Sequence, residues 1–213
     1  IEQNIILPFN DEEEKLYVAN LAEVNKELQE LYDLEGSDKM QILKLLTRLR
    51  QLCLEPRLVY DNIDQPSSKL KACMELIKTM QENKQKVLLF SSFTSALDLI
   101  AEECQKAGIT YYMLTGSTNK EERRELVSRF QKDDTTVFLI SLKAGGTGLN
   151  LTSAEAVIHF DPWWNVSAQN QATDRAYRIG QKNNVQVFNL VMKDSVEEKI
   201  IELQKRKKEL ADM

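Results

Sequence analysis

The sequence predicts an α/β protein built on a parallel sheet with helices on both faces. From Lys86 onward, short apolar runs alternate with stretches of helical period: VLLF, a helix, YYML, a helix, VFLI, a glycine turn, AVIHF and a further helix. Such alternation is what βαβ units of a doubly wound sheet produce. The runs Lys86–Phe90 and Val137–Ile140 are apolar almost throughout, as expected of strands covered on both faces. Helix caps and turn residues fall at the joints between the runs, Gly108 among them.

Taken in order, residues 1–10 read as an extended leading segment. From Asp11 to Leu34, the residues Tyr17, Leu21, Val24, Leu28 and Leu31 step by four and three, the helical period. Glu12-Glu13-Glu14 sits in the first turn, where the helix dipole favours acids, and reads as a solvated helix start. Gly36-Ser37 interrupts the pattern, and a second helix follows on Ile42, Leu45, Leu49 and Leu52. Ser67-Ser68 opens a third on Leu70, Cys73, Ile77 and Met80. After the Lys86–Phe90 strand, Thr94 is the expected N-cap of a helix carrying Leu97, Ile100, Ala101 and Cys104, closed by Gly108. Tyr111–Leu114 is the next strand. Asn119 with Glu122 forms a capping-box start for the helix holding Leu126, Val127 and Phe130, and Asp133-Asp134 reads as a loop. The glycine turn follows Val137–Ile140, and Ala156–Phe160 is a strand ended by Asp161-Pro162. Val185–Val191 is the last strand. Ser195 and Glu198 then open a final helix on Val196, Ile200, Leu203 and Leu210.

Composition narrows the class. The 213 residues, 42% hydrophobic and 29% charged, suit a globular protein with one sizeable α/β domain and an attached helical piece. No apolar run is long enough to span a membrane, and no signal-peptide pattern is present, so no membrane partner is expected. The start at Ile1, without methionine, is read as a piece of something larger. A net charge of −5 weighs against nucleic-acid binding only weakly, because binding needs a local basic groove and not a basic total. Cys53, Cys73 and Cys104 form no CxxC pair and fall at apolar helix positions, so reduced buried thiols and a reducing cytosol or nucleus are expected. With His159 the only histidine, and in an apolar strand, neither a metal site nor a Ser-His-Asp triad is supported; a core histidine with a backbone partner is expected.

The chemistry concentrates between Ser141 and Gln181. The turn Gly145-Gly146-Thr147-Gly148 lets backbone N–H groups converge on an anion. Arg175 and Arg178 lie three apart on one helix face, with Gln171 one turn earlier, and suit a phosphate bearing developing charge. Yet no GxxxxGK[ST] cradle occurs, and Leu151 takes the last glycine position of a GxGxxG reading. The chain thus has phosphate-reaching arginines without a phosphate cradle, which is what one half of a two-lobed ATPase would show.

These residues carry a family resemblance. GGTGLNL resembles motif V, and QATDRAYRIGQ motif VI, of the Swi/Snf family of DNA-dependent ATPases in helicase superfamily 2. LLTRLRQLCLEPRLV resembles the helical segment linking the two lobes in that family, with Glu55 where its members often carry histidine. The last helix resembles the family's C-terminal brace and is expected to be a packed amphipathic helix with a solvated basic face. The resemblance covers essentially the whole chain. It implies a RecA-like second lobe of P-loop NTPase type at residues 67–193, a helical linker at 1–66 and a brace helix at 194–213. It further implies Arg178 as arginine finger, Arg175 as a second phosphate ligand, and Gln171, Gly148 and Asn150 on the nucleotide side. DNA contacts are implied for Ser91, Ser92, Thr115, Gly116, Ser141, Lys143, Gly145, Gly146 and Thr147. Of the adjacent tryptophans, one should pack inward and Trp164 should meet DNA or a neighbour. ATP and Mg²⁺ would be held mainly by an N-terminal lobe absent from this sequence. The implied partners are that lobe, double-stranded DNA and a DNA-bound protein substrate of unstated identity. The implied setting is the nucleus, or the nucleoid of a prokaryotic cytoplasm. The other readings are the second lobe of a different superfamily 2 helicase, against which Asp174 and Gln181 argue in the RNA-helicase case, or a binding module that kept the fold without the engine.

Overall fold

The computed structural model describes residues 2–32, 39–144, 149–174 and 185–213, apart from the side chains of Tyr32, Lys39 and Val166. Among the described residues there are six strands, β1 (Glu2–Leu7), β2 (Val87–Ser91), β3 (Tyr111–Leu114), β4 (Val137–Ser141), β5 (Ala156–His159) and β6 (Gln186–Met192). They form a single sheet in the order β1-β6-β5-β2-β4-β3, and every neighbouring pair is parallel. The helices are α1 (Asp11–Tyr32), α2 (Lys39–Leu54), α3 (Ser68–Glu82), α4 (Thr94–Ala107), α5 (Lys120–Lys132), α6 (Val166–Thr173) and α7 (Val196–Ala211).

Strand side chains alternate between two buried layers, as the pleat requires. Val87, Leu89, Val137, Leu139, Ala156 and Ile158 join a core with Leu70, Cys73 and Ile77 of α3 and Leu97, Ile100 and Cys104 of α4. Tyr17, Val24, Leu45, Leu49 and Leu52 extend the same core into α1 and α2. Leu88, Phe90, Phe138, Ile140 and Val157 face the other way, onto Phe130, Leu151, Trp163 and Ala172. Burial raises the thiol pKa values of Cys53 and Cys73 and pushes that of Cys104 up to about 12, so all three stay protonated and unreactive.

Several expectations need correction. The leading segment is the edge strand β1, paired in register with β6 from Glu2↔Val187 to Leu7↔Met192. Glu13 is not solvated. Its carboxylate accepts the Asn10 and Ser68 amides at 3.1 Å each and the Ser68 hydroxyl, tying the start of α1 to that of α3. Thr94 is not the cap of α4: Phe93 holds that position, and its amide is taken by the Ser91 hydroxyl at 3.1 Å. At α7 the Ser195 hydroxyl accepts from Glu197 N at 3.1 Å, and Glu198 turns to the Asp194 amide, so the capping box is displaced. The last helix packs along its first half, from Val196 to Gln204, and its second half is exposed. Val196 and Ile200 are buried, whereas Leu203 is 43% and Leu210 71% exposed.

Two buried acids were not foreseen as organisers. Glu55 accepts the Ser67 amide at 2.7 Å, the Arg57 amide at 2.9 Å and the Arg57 guanidinium at 3.0 Å. Glu197 receives Lys69 Nζ at 2.7 and 2.8 Å, both side chains being fully buried. Lys69 also donates to the carbonyls of Phe160 at 2.7 Å and Leu190 at 3.0 Å, so α3, α7 and the ends of β5 and β6 meet on one ammonium.

Candidate functional site

Because all strands are parallel, their C-terminal ends lie on one edge of the sheet, where loops converge in open α/β folds. Ser91 ends β2 and stands in register with Ser141 at the end of β4. Leu142 N donates to the Ser91 carbonyl at 3.0 Å, which locks the two turns together. The β3 turn joins them: a Cβ placed on Gly116 would lie 3.5 Å from Lys143 Cβ. That turn is held by Thr115 N donating to Thr118 Oγ1 at 3.1 Å and by the Thr115 and Ser117 hydroxyls, 2.9 Å apart. Lys143 is exposed, and the buried hydroxyls of Ser92 and Ser141 lack a partner among the described residues. Ser91, Ser92, Thr115, Gly116, Ser141 and Lys143 therefore share one edge.

A side chain that the sequence did not single out organises this edge. Asp161, at the exit of β5, accepts the Ser91 hydroxyl at 2.6 Å and the Ser92 amide at 3.1 Å. Arg50, from α2, reaches the other carboxylate oxygen at 3.4 Å. Its guanidinium also lies 5.0 Å from the ring centre of Phe93 and 5.9 Å from that of Trp164. An acid just past a strand buried along its whole length is a signal that could have marked Asp161. Nothing in TRLRQ distinguishes Arg50.

The tryptophans split as expected in burial. Trp163 is 2% exposed, set edge-on to Phe90 and His159, and Trp164 is 38% exposed. Trp163 is fixed by Gln169 of α6, whose side-chain oxygen accepts its amide at 3.1 Å, and by Gln204 of α7, which donates to its carbonyl. His159 is buried, but its partner is a side chain and not the backbone: Nε2 lies 2.9 Å from Thr173 Oγ1. The Thr173 hydroxyl donates to the Gln169 carbonyl at 3.2 Å, so Nε2–H donates to Thr173, and Nδ1 has no partner among the described residues. Burial lowers the His159 pKa to about 3, and the ring is neutral at physiological pH.

Gln171 is exposed on α6. Asn150 is exposed too, and with Lys120, Arg123, Arg124 and Lys132 it lines a cavity of about 590 Å³ that Gln171 does not border. Arg175, Arg178, Gly145, Gly146, Thr147 and Gly148 lie outside the described residues. Among the described residues, no cluster of His, Cys, Asp or Glu is placed to hold a metal ion, and no helix is long and apolar enough to cross a membrane.

Comparison with known proteins agrees with this architecture. Residues 68–180 match the family described as helicase conserved C-terminal domain. An uncharacterised ATP-dependent helicase of Mycoplasma pneumoniae is 38% identical over 211 residues, covering 99% of this chain and 20% of the relative. The chain thus spans about a fifth of the length of the curated relatives it matches. The C-terminal domain of the Sulfolobus solfataricus SWI2/SNF2 ATPase superposes with a TM-score of 0.80 at 29% identity, covering 98% of this chain and 86% of that one. The core of that ATPase, solved in complex with double-stranded DNA, gives 0.82 at 34% identity, covering 99% of this chain and 44% of that one. With its all-parallel sheet and a family match over more than half its length, the chain belongs to the helicase conserved C-terminal domain family, and its RecA-like fold is that of the C-terminal domain of a SWI2/SNF2 ATPase.

Proposed function

We propose that this lobe works in a DNA-stimulated ATPase that moves along double-stranded DNA and remodels protein–DNA complexes. The observation that carries the reading is the strand edge itself: exposed Lys143 and exposed Trp164, with the buried Ser92 and Ser141 hydroxyls, which have no partner among the described residues, on the same edge. Small hydroxyls, turn amides and a lysine suit phosphate oxygens and carry no sequence preference, as a tracking motor needs. The relative solved with double-stranded DNA supports the choice of ligand.

In this reading Ser92, Thr115, Gly116, Lys143, Gly145, Gly146, Thr147 and Trp164 face DNA, and Ser91 and Ser141, both buried and Ser91 held by Asp161, support that edge from beneath. Gln171, Gly148 and Asn150 face the nucleotide. Arg178 and Arg175 reach across to its phosphates, with Arg178 stabilising the charge that develops in the transition state. ATP and Mg²⁺ are held mainly by the N-terminal lobe in this reading. ATP supplies the phosphoryl chemistry when bound. Residues 1–66 serve as linker and 194–213 as brace around the lobe at 67–193. The further partner is a DNA-bound protein, in a nucleus or a nucleoid.

The test is ATP turnover by the full-length protein with duplex DNA, single-stranded DNA, RNA or nothing. Duplex DNA should stimulate most. Arg178→Ala should lower turnover by roughly 10³–10⁵ while nucleotide binding persists. Normal turnover in that variant would show the finger to be elsewhere, and indifference to DNA would leave a binding module as the better reading.

A further inference from the structure

Arg50 stands apart from the other ion-paired residues because of what it joins. It belongs to α2, in the linker, yet its partners are residues of the strand edge more than 40 and more than 110 positions away in sequence. Asp161, its carboxylate partner, is the group that holds the Ser91 hydroxyl and the Ser92 amide. Trp164, its second aromatic neighbour, is a large apolar side chain left exposed on this edge. A planar guanidinium suits this triple duty. It can hydrogen-bond a carboxylate in its plane while offering its faces to aromatic rings, which a lysine ammonium cannot do.

We propose that Arg50 is a positioning residue, which fixes the Trp164 ring and the Asp161 carboxylate so that the strand edge is set for DNA by the linker helix. The inference rests on the reading of that edge as DNA-facing. Arg50 touches neither nucleotide nor reacting atoms in this role. It acts through Trp164 and Asp161, and the linker's placement on the lobe thereby sets how readily the edge accepts a duplex.

The experiment measures ATPase rate against duplex DNA concentration in the full-length protein for wild type, Arg50→Lys, Trp164→Ala and the double variant, with thermal melts alongside. Lysine keeps the positive charge, so attraction to phosphates is retained and planar stacking is lost. Arg50→Lys should raise the DNA concentration for half-maximal rate roughly three- to tenfold, with a smaller change in kcat at saturating DNA. The double variant should be no worse than Trp164→Ala alone. Phe93→Leu, which removes the other ring but leaves Arg50 and Asp161, should shift half-saturation in the same direction; no shift there counts against the stacking. Independent, multiplying effects of Arg50→Lys and Trp164→Ala overturn the inference. So does a lowered kcat and melting temperature with half-saturation unchanged. In both cases the DNA-facing reading survives, provided Trp164→Ala is itself impaired. An unaltered half-saturation in Trp164→Ala removes that reading, and the inference with it.

Discussion

Lys69–Glu197 and Arg50–Asp161 grip neighbouring points of one segment: Lys69 holds the Phe160 carbonyl, and Arg50 holds the carboxylate of the very next residue. In the first pair both side chains are fully buried, and the ammonium spends its donors on two carbonyls and a carboxylate. In the second, the separation is 3.4 Å, the guanidinium is partly open to solvent and an exposed tryptophan lies beside it. Charges in the interior have no water to fall back on, so losing one partner there is a folding defect. Asp161 is itself 1% exposed, so solvent softens the loss on the Arg50 side alone, and placement is the property that suffers there. One pair builds the end of β5, and the other aims the tryptophan-bearing stretch beyond it.

The contrast can be broken by experiment. The largest effect should come from Lys69→Ala, which strands a buried carboxylate and should destabilise the fold by about 3–5 kcal/mol in equilibrium denaturation. A loss below about 1 kcal/mol would mean that water reaches Glu197 and that the two pairs do not differ in kind. Asp161→Asn should cost less, about 1.5–3 kcal/mol, since the amide oxygen can still accept from Ser92. Its effect on DNA half-saturation should exceed that of any Lys69 variant compared at equal folded fraction. The reverse ranking would assign Asp161 to the scaffold.

The smallest effect is a slope. His159 precedes Phe160 on β5, and burial holds its pKa near 3, against about 6.5 in the unfolded chain. Between those values the unfolded state binds the extra proton. Its contribution is therefore complete above pH 6.5 and falls away toward pH 3, by about 1.4 kcal/mol per pH unit at most. Removing the ring in His159→Gln should flatten the denaturation free energy against pH within that window. An unchanged slope would put the acid sensitivity in other groups.

The sheet was legible because β2, β4 and β5 are buried on both faces and so read as apolar runs. β1 was not, because EQNIIL lies at an edge with a polar first half, which nothing local distinguishes from a loop. Ser91, Ser92, Ser141 and Lys143 could be located because they end or closely follow such runs, and Thr115 and Gly116 because they follow Leu114, the buried end of β3. Lys69, Glu197 and Glu13 could not: a charged residue in an amphipathic helix reads as solvent-facing until its distant partner is known, 128 positions on in the case of Lys69. Thr94 misled for a different reason. The Ala96 and Leu97 amides, which a Thr94 cap would satisfy, donate to the Phe93 carbonyl at 3.2 and 3.3 Å, so the helix opens one residue earlier.

The pairing of β1 with β6 has a consequence in time. Residues 2–7 leave the ribosome well before β6, residues 186–192, the strand with which they pair among the described residues. At 5–20 residues per second, β1 waits roughly 10–40 s before its ladder can form. During synthesis the segment Ile5-Ile6-Leu7 is thus an unpaired apolar edge, the kind of surface that invites association with another chain. The polar half, Glu2-Gln3-Asn4, is well placed to keep it solvated meanwhile, and Asn189 later binds Glu2 and Asn4 side chains at 2.9 Å each when the two strands finally meet.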